Sequence, residues 1–150
     1  MQERSVAHAT FVIERSYDAS PERVFGAFSD PVAKASWFGL RAKTFEFRVG
    51  GHEIGYGGPP GDENYTFHAI YQEIVPDARI VTSYSMDRLE TRISVSLATT
   101  ELHAEGDGTR LVSTEHGAFL DGHDTAAERE EGCAGMLDAL ATALAAASTP

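Results

Sequence analysis

Glu115 is the residue with the most chemical promise in this sequence. It follows Ser113 by two positions and Leu111 by four, so in a strand all three side chains leave the same face. If Leu111 faces a core, Glu115 is a desolvated carboxylate at its end, able to hydrogen-bond a ligand or to act as acid or base. The bland alternatives are a strand twist that returns it to water, or pairing with His116. A set of aromatics could wall a cavity around it: Trp37, Phe38, Tyr56, Tyr65, Phe67, Tyr71 and Tyr84. Tyr65, Phe67 and Tyr71 share one strand parity. Ordinary core packing explains any one of them, but a buried phenol needs a hydrogen-bond partner, and several facing a cavity give polar handles on an apolar wall. Ser113, Phe119, Cys133, Met136 and Leu140 complete the candidate lining.

Other chemistries find no support. His8, His52, His68, His103, His116 and His123 form no H-x-H or H-E-x-x-H pattern, and no cysteine pair joins them, so no metal is expected. His116 and His123 flank Asp121 and Asp124, but aspartates that cap a helix explain that grouping. Cys133 lies on an apolar stripe with no activating base and reads as a small core residue. The glycines from Gly50 to Gly61 lack the G-K-[ST] ending of a phosphate loop; hairpin turns account for them. No G-x-S-x-G occurs, so no nucleophile elbow can be placed. No cofactor is expected.

Charge and composition narrow the field further. Twelve basic residues against 23 acidic ones give a net charge of −11, which argues against nucleic acid or an anionic membrane as partner. The lone Cys133 excludes an internal disulfide framework and fits a reducing compartment. Neither a signal peptide nor a membrane span is visible, so a cytoplasmic location is expected. At 150 residues the chain is expected to form one domain, residues 1–150, long enough to bury a core.

The elements that must position these residues are legible from pattern. The stretch 124–147 is the only long helix: Thr125 and Glu128 make a capping box, and Cys133, Met136, Leu137, Leu140, Ala141 and Leu144 recur at three- and four-residue steps. Arg129, Glu130, Glu131 and Asp138 are assigned to the opposite face. Gly132 and Gly135 each weaken the helix by about 1 kcal/mol relative to alanine, so either something approaches the backbone there or space is left open. Upstream, residues 9–17 read as a strand. Ser20-Pro21 and Asp30-Pro31 are two successive N-cap and first-turn proline signals for short helices, the second ending near Trp37-Phe38-Gly39. Alternation and turn residues then predict strands over 44–49, 52–57, 65–75, 79–85, 91–103 and 109–117. The parity change between Ile93, Val95, Leu97 and Leu102 predicts a bulge near Ala98–Thr100. The order is strand, two helices, six strands, long helix. It predicts an α+β fold in which a curved seven-stranded antiparallel sheet wraps the final helix, with an apolar cavity left between them.

The segments Tyr17–Phe25 (YDASPERVF), Trp37-Phe38-Gly39, Gly50-Gly51, Ala69–Pro76 (AIYQEIVP), Arg79-Ile80-Val81, Gly108–Leu111, Thr114–Phe119 and Leu137–Leu140 resemble the helix-grip superfamily (START/SRPBCC). Within it they resemble the branch of homologues of the activator of the heat-shock-protein-ninety ATPase. The resemblance covers essentially the whole chain and implies a helix-grip fold. It also implies three functions to weigh: binding of a hydrophobic small molecule, aromatic or lipid-like; a polyketide cyclase-, dehydratase- or hydrolase-like enzyme, for which Glu115 is the candidate residue; or a co-chaperone-like interaction module. The named co-chaperone also needs an additional domain, so a chaperone partner is not favoured here, and fold-level analogy supports ligand binding best. Many relatives carry a tryptophan early in the last helix where this chain has Cys133-Ala134-Gly135, which implies a roomier cavity. Homodimerisation through an open sheet edge is a further possibility.

Overall fold

The computed structural model describes residues 3–147. Its elements are β1 (Val6–Tyr17), α1 (Pro21–Ser29), α2 (Pro31–Ala35), β2 (Arg41–Phe45), β3 (His52–Gly57), β4 (Tyr65–Val75), β5 (Arg79–Arg88), β6 (Thr91–Glu105), β7 (Gly108–Leu120) and α3 (Ala126–Ala147). Seven strands form one antiparallel sheet in the order β1-β7-β6-β5-β4-β3-β2. This is the α+β helix-grip architecture, a curved sheet packed against a long C-terminal helix with two short helices after β1.

Capping explains the helix starts. Ser20 Oγ accepts from the Arg23 amide, and Asp30 Oδ2 from the Ala33 amide, each followed by proline at the first helical position. Thr125 Oγ1 accepts from the Glu128 amide and opens α3, satisfying one of the orphan donors of the first turn.

The two halves of α3 do different work. Leu137, Leu140 and Leu144 are buried against Phe11, Ile13, Val24, Leu102 and Leu111, each burial worth roughly 1.5–3 kcal/mol. Ala141, assigned to the same stripe, is exposed instead, because the buried row runs Leu137, Leu140, Leu144. The N-terminal half carries Gly132, Cys133, Ala134 and Gly135, residues too short to fill the space above the sheet. A methyl group added at Gly132 or Gly135 meets nothing within 4 Å, so neither glycine is there for a close backbone approach; at exposed Gly135 the open space is solvent.

Several boundaries differ from the pattern reading. The expected strand 44–49 is realised as β2 over Arg41–Phe45. Residues 46–51 curl into a turn, closed by Arg48 N–H to Glu46 O and Gly51 N–H to Arg48 O. A side chain at Gly51 would collide with the Glu46 carbonyl oxygen. The bulge lies near Ile93 rather than at Ala98–Thr100: Met86 pairs with Ser94 and Asp87 with Arg92, so Ile93 is the extra residue. The parity switch puts Ile93 and Ser94 inside while Val95 and Leu97, 45% and 42% exposed, lie on the outer face. β5 continues through Asp87 to a turn at Leu89, whose φ is 54°.

Tyr17 ties β1 to α3. Its hydroxyl donates to the Leu137 carbonyl at 2.8 Å, and burial pushes its pKa up to about 12 from the ordinary 10.0. Across that window the unfolded chain releases a proton that the folded chain keeps, so stability falls as pH rises. Linkage gives one such proton a slope of about 1.4 kcal/mol per pH unit. Denaturant unfolding of Tyr17→Phe between pH 10 and pH 12 should show a slope shallower by about that amount than wild type. An unchanged slope would assign the alkaline loss to other groups.

Candidate functional site

A cavity of about 630 Å³ opens between the small-residue half of α3 and the sheet. Phe38, Tyr65, Phe67, Tyr71, Tyr84 and Trp37 contribute its aromatic wall, with Met136 and Cys133 from the helix. The rings interlock edge-on: Phe38 against Phe67 at 5.5 Å and Trp37 against Phe38 at 5.7 Å between centroids. Trp37 is held by a hydrogen bond from its Nε1 to the Ala27 carbonyl.

Two polar ends interrupt this wall. At the first, Glu115 is 6% exposed and both of its oxygens accept hydrogen bonds: Oε1 from Tyr84 OH at 2.5 Å and Oε2 from the Cys133 thiol at 3.1 Å. Arg129 donates to Tyr84 OH at 3.0 Å, to Ser94 Oγ at 2.8 Å and to Asp124 at 2.6 Å. Its guanidinium lies over the Tyr84 and Phe119 rings, 5.7 and 5.5 Å from their centroids. A guanidinium only donates, so the Tyr84 oxygen accepts from Arg129 and its single proton goes to Glu115. Burial, reinforced by the charge of Glu115, raises the proton affinity of both the Tyr84 phenol and the Cys133 thiol. Each therefore stays protonated near neutrality, and Cys133 is no nucleophile.

At the second end, Lys34 Nζ donates to Glu53 Oε1 at 2.6 Å, and Tyr71 OH donates to the same oxygen at 2.5 Å. Lys34 also lies 4.4 Å from the Phe38 ring centroid. Burial lowers the proton affinity of Lys34 while Glu53 opposes the shift; burial and Glu53 together raise that of Tyr71. The floor between the two ends is one rung of the sheet, on which Tyr71 pairs with Thr82, Thr82 with Ala98 and Ala98 with Glu115. Small side chains on that rung keep the space above it clear.

The candidate residues fall into two groups. Trp37, Phe38, Tyr65, Phe67, Tyr71, Tyr84, Ser113, Glu115, Cys133 and Met136 line the cavity. Tyr56, Phe119 and Leu140 do not. Tyr56 has the parity opposite to Glu53, Gly55 and Gly57 and leaves the outer face of β3, where Lys43 approaches its ring at 5.7 Å. Phe119 is packed beneath Arg129, and Leu140 belongs to the filled half of the core. His116 does not pair with Glu115; it lies on the outer face and bonds Thr10 Oγ1. Asp121 bonds the Ser5 amide and Arg4 and does not line the cavity, whereas His123 does. Among the described residues no three His, Cys, Asp or Glu side chains lie where they could hold one metal ion.

Pattern reading missed Lys34, Glu53 and Arg129. Arg129, assigned to the solvent face, has a side chain only 9% exposed. It stands four residues before Cys133 and eight before Leu137, on the buried stripe itself, and its charge alone hid that. Glu53 shares inward parity with Gly55 and Gly57, a charged residue among glycines on the core face. Lys34 carries no sequence signal of its own beyond lying one turn after the Asp30 cap.

The family model described as "Activator of Hsp90 ATPase homolog 1-like protein" matches residues 18–145. The crystal structure of the Mll3558 protein from Rhizobium loti is 48% identical, with 93% of this chain and 99% of that one covered and a TM-score of 0.86. An uncharacterised protein from Rhizobium leguminosarum is 41% identical over 95% of this chain and 97% of its own, again with a TM-score of 0.86. Protein CV1439 from Chromobacterium violaceum is 27% identical over 90% and 96%, with a TM-score of 0.76. No curated protein matches the chain. No helix among the described residues is long and apolar enough to cross a membrane.

Proposed function

The chain belongs to the family of activator of Hsp90 ATPase homolog 1-like proteins, and on that premise we propose that it binds a hydrophobic small molecule carrying an aromatic or lipid-like body. The observation that carries this reading is the cavity itself, about 630 Å³ with aromatic walls and a polar group at each end. That volume lies within the roughly 300–1,000 Å³ of small-molecule sites. Gly132 supports it too, because it lowers helix stability on the cavity wall and leaves room there that a larger residue would fill.

Binding is favoured over turnover by the state of the groups around Glu115. General acid–base catalysis works best with groups whose pKa lies near the operating pH, and burial raises the proton affinity of both Tyr84 and Cys133. A chaperone partner is not favoured, since the chemistry-bearing residues converge inside the fold rather than on its surface.

The test uses Trp37, the only tryptophan, which lines the cavity. Its fluorescence is titrated with sterols, fatty acids, aromatic polyketide-like compounds and aryl amines while melting temperature is followed. Saturable quenching by one class is expected. A ligand at a hundred times its Kd adds about 2.7 kcal/mol of stability, which raises the melting temperature of a chain this size by about 5–11 °C. A flat response across every class would remove the binding reading.

A further inference from the structure

We propose that the cavity takes a cationic amphiphile, an amine on an aromatic or extended apolar body, and that its ammonium group pairs with Glu115. The proposal rests on the binding reading above and names the chemistry of the ligand.

The charges along the cavity are not balanced alike. Lys34 is in direct contact with Glu53, and Arg129 with Asp124, each pair at 2.6 Å. Glu115, 6% exposed, touches no cation among the described residues; its two partners there are a phenol and a thiol. Both of those donors aim at it, one at each oxygen, and the Tyr84 proton is directed there by the donor-only Arg129 behind it. The guanidinium behind Tyr84 is held by Asp124; Glu115, buried with no cation in direct contact, is unfavourable as a carboxylate unless something supplies the missing charge. It also has about four lone-pair sites, and the two bonds present leave room for a further donor.

The approach to the site has the same sign. With Asp124 held by Arg129, Glu128 and Glu131 leave a negative excess along the start of α3 where it lines the cavity, and the chain as a whole carries −11. Such a field draws cations toward the mouth and opposes anions. Inside, the Phe67 and Tyr84 rings stand 5.0 Å apart beside Glu115, and aromatic faces attract an ammonium group. Fatty acids, whose head is itself a carboxylate, are the wrong charge at both points.

Three probes with one apolar body separate the possibilities: naphthylethylamine, naphthylethanol and naphthylacetate, titrated calorimetrically into the full chain at neutral pH. The amine should bind about tenfold more tightly than the alcohol, and the acetate most weakly. Glu115→Gln, which keeps the shape and removes the charge, should collapse the spread among the three heads to within about threefold. If that variant fails to fold, the wild-type ranking alone decides. Equal or tighter binding of the alcohol or the acetate overturns the proposal and leaves the cavity reading standing, as does an amine preference that survives Glu115→Gln. If no amine binds while another class saturates Trp37 quenching, the amine assignment falls alone. If no probe of any class binds, both fall together.

Discussion

Lys34→Met is expected to destabilise the protein by about 3–5 kcal/mol, the usual cost of stranding one partner of a buried ion pair. For a chain of this length that is a fall in melting temperature on the order of 6–20 °C. Lys34 and Glu53 have side chains 10% and 3% exposed and meet at 2.6 Å. Methionine matches the length of the lysine stem but leaves Glu53 with only the Tyr71 phenol. Glu53→Gln strands Lys34 instead, and costs less because lysine escapes the penalty by releasing its proton, a release that burial already favours. The double variant Lys34→Met with Glu53→Gln should recover most of the loss, since replacing both members of such a pair is often neutral or better. Denaturant unfolding of the four proteins closes a double-mutant cycle. A cost below about 1 kcal/mol for Lys34→Met would mean that water reaches the pair and screens it as at a surface.

That pair also shows where sequence reading stops. The order of elements was legible because strand alternation, two Ser/Asp-Pro helix starts and one amphipathic stripe each leave a local signature. Glu115 was legible through its parity with Leu111 and Ser113. Tyr65, Phe67 and Tyr71 were legible in the same way, by shared parity, whereas Tyr56 was not, because one residue of register decides between the cavity and the outer face. The misplaced bulge has a similar cause. Ile93, Val95 and Leu97 alternate as though all were buried, and only pairing with β5 reveals that Ile93 is the extra residue and that Val95 and Leu97 face outward. Lys34, Glu53 and Arg129 were hidden for another reason. A charged residue reads as solvent-exposed unless its partner is known, and the partners here are distant in sequence: Lys34 with Glu53, and Arg129 with Tyr84 and Ser94. The tertiary fold alone brings them together.

The second large effect concerns the cavity volume. Gly132 lies on its wall, and a side chain added there starts into open space. Ala98 lies on its floor, midway along the rung between Thr82 and Glu115. Gly132→Trp and Ala98→Phe therefore fill the cavity from opposite sides. Gly132→Trp also removes a helix-weakening glycine worth roughly half a kcal/mol or more, so its stability should hold or rise. Ala98→Phe is expected to cost about 1–3 kcal/mol by overpacking.

The decisive measurement is the Kd of the tightest probe from the Trp37 titrations, taken by calorimetry in wild type and in these two variants. Both substitutions should weaken binding by on the order of a hundredfold or more, about 2.8 kcal/mol, in proteins that remain folded. Wild-type affinity in both would contradict the assignment and place the ligand outside the space between α3 and the sheet.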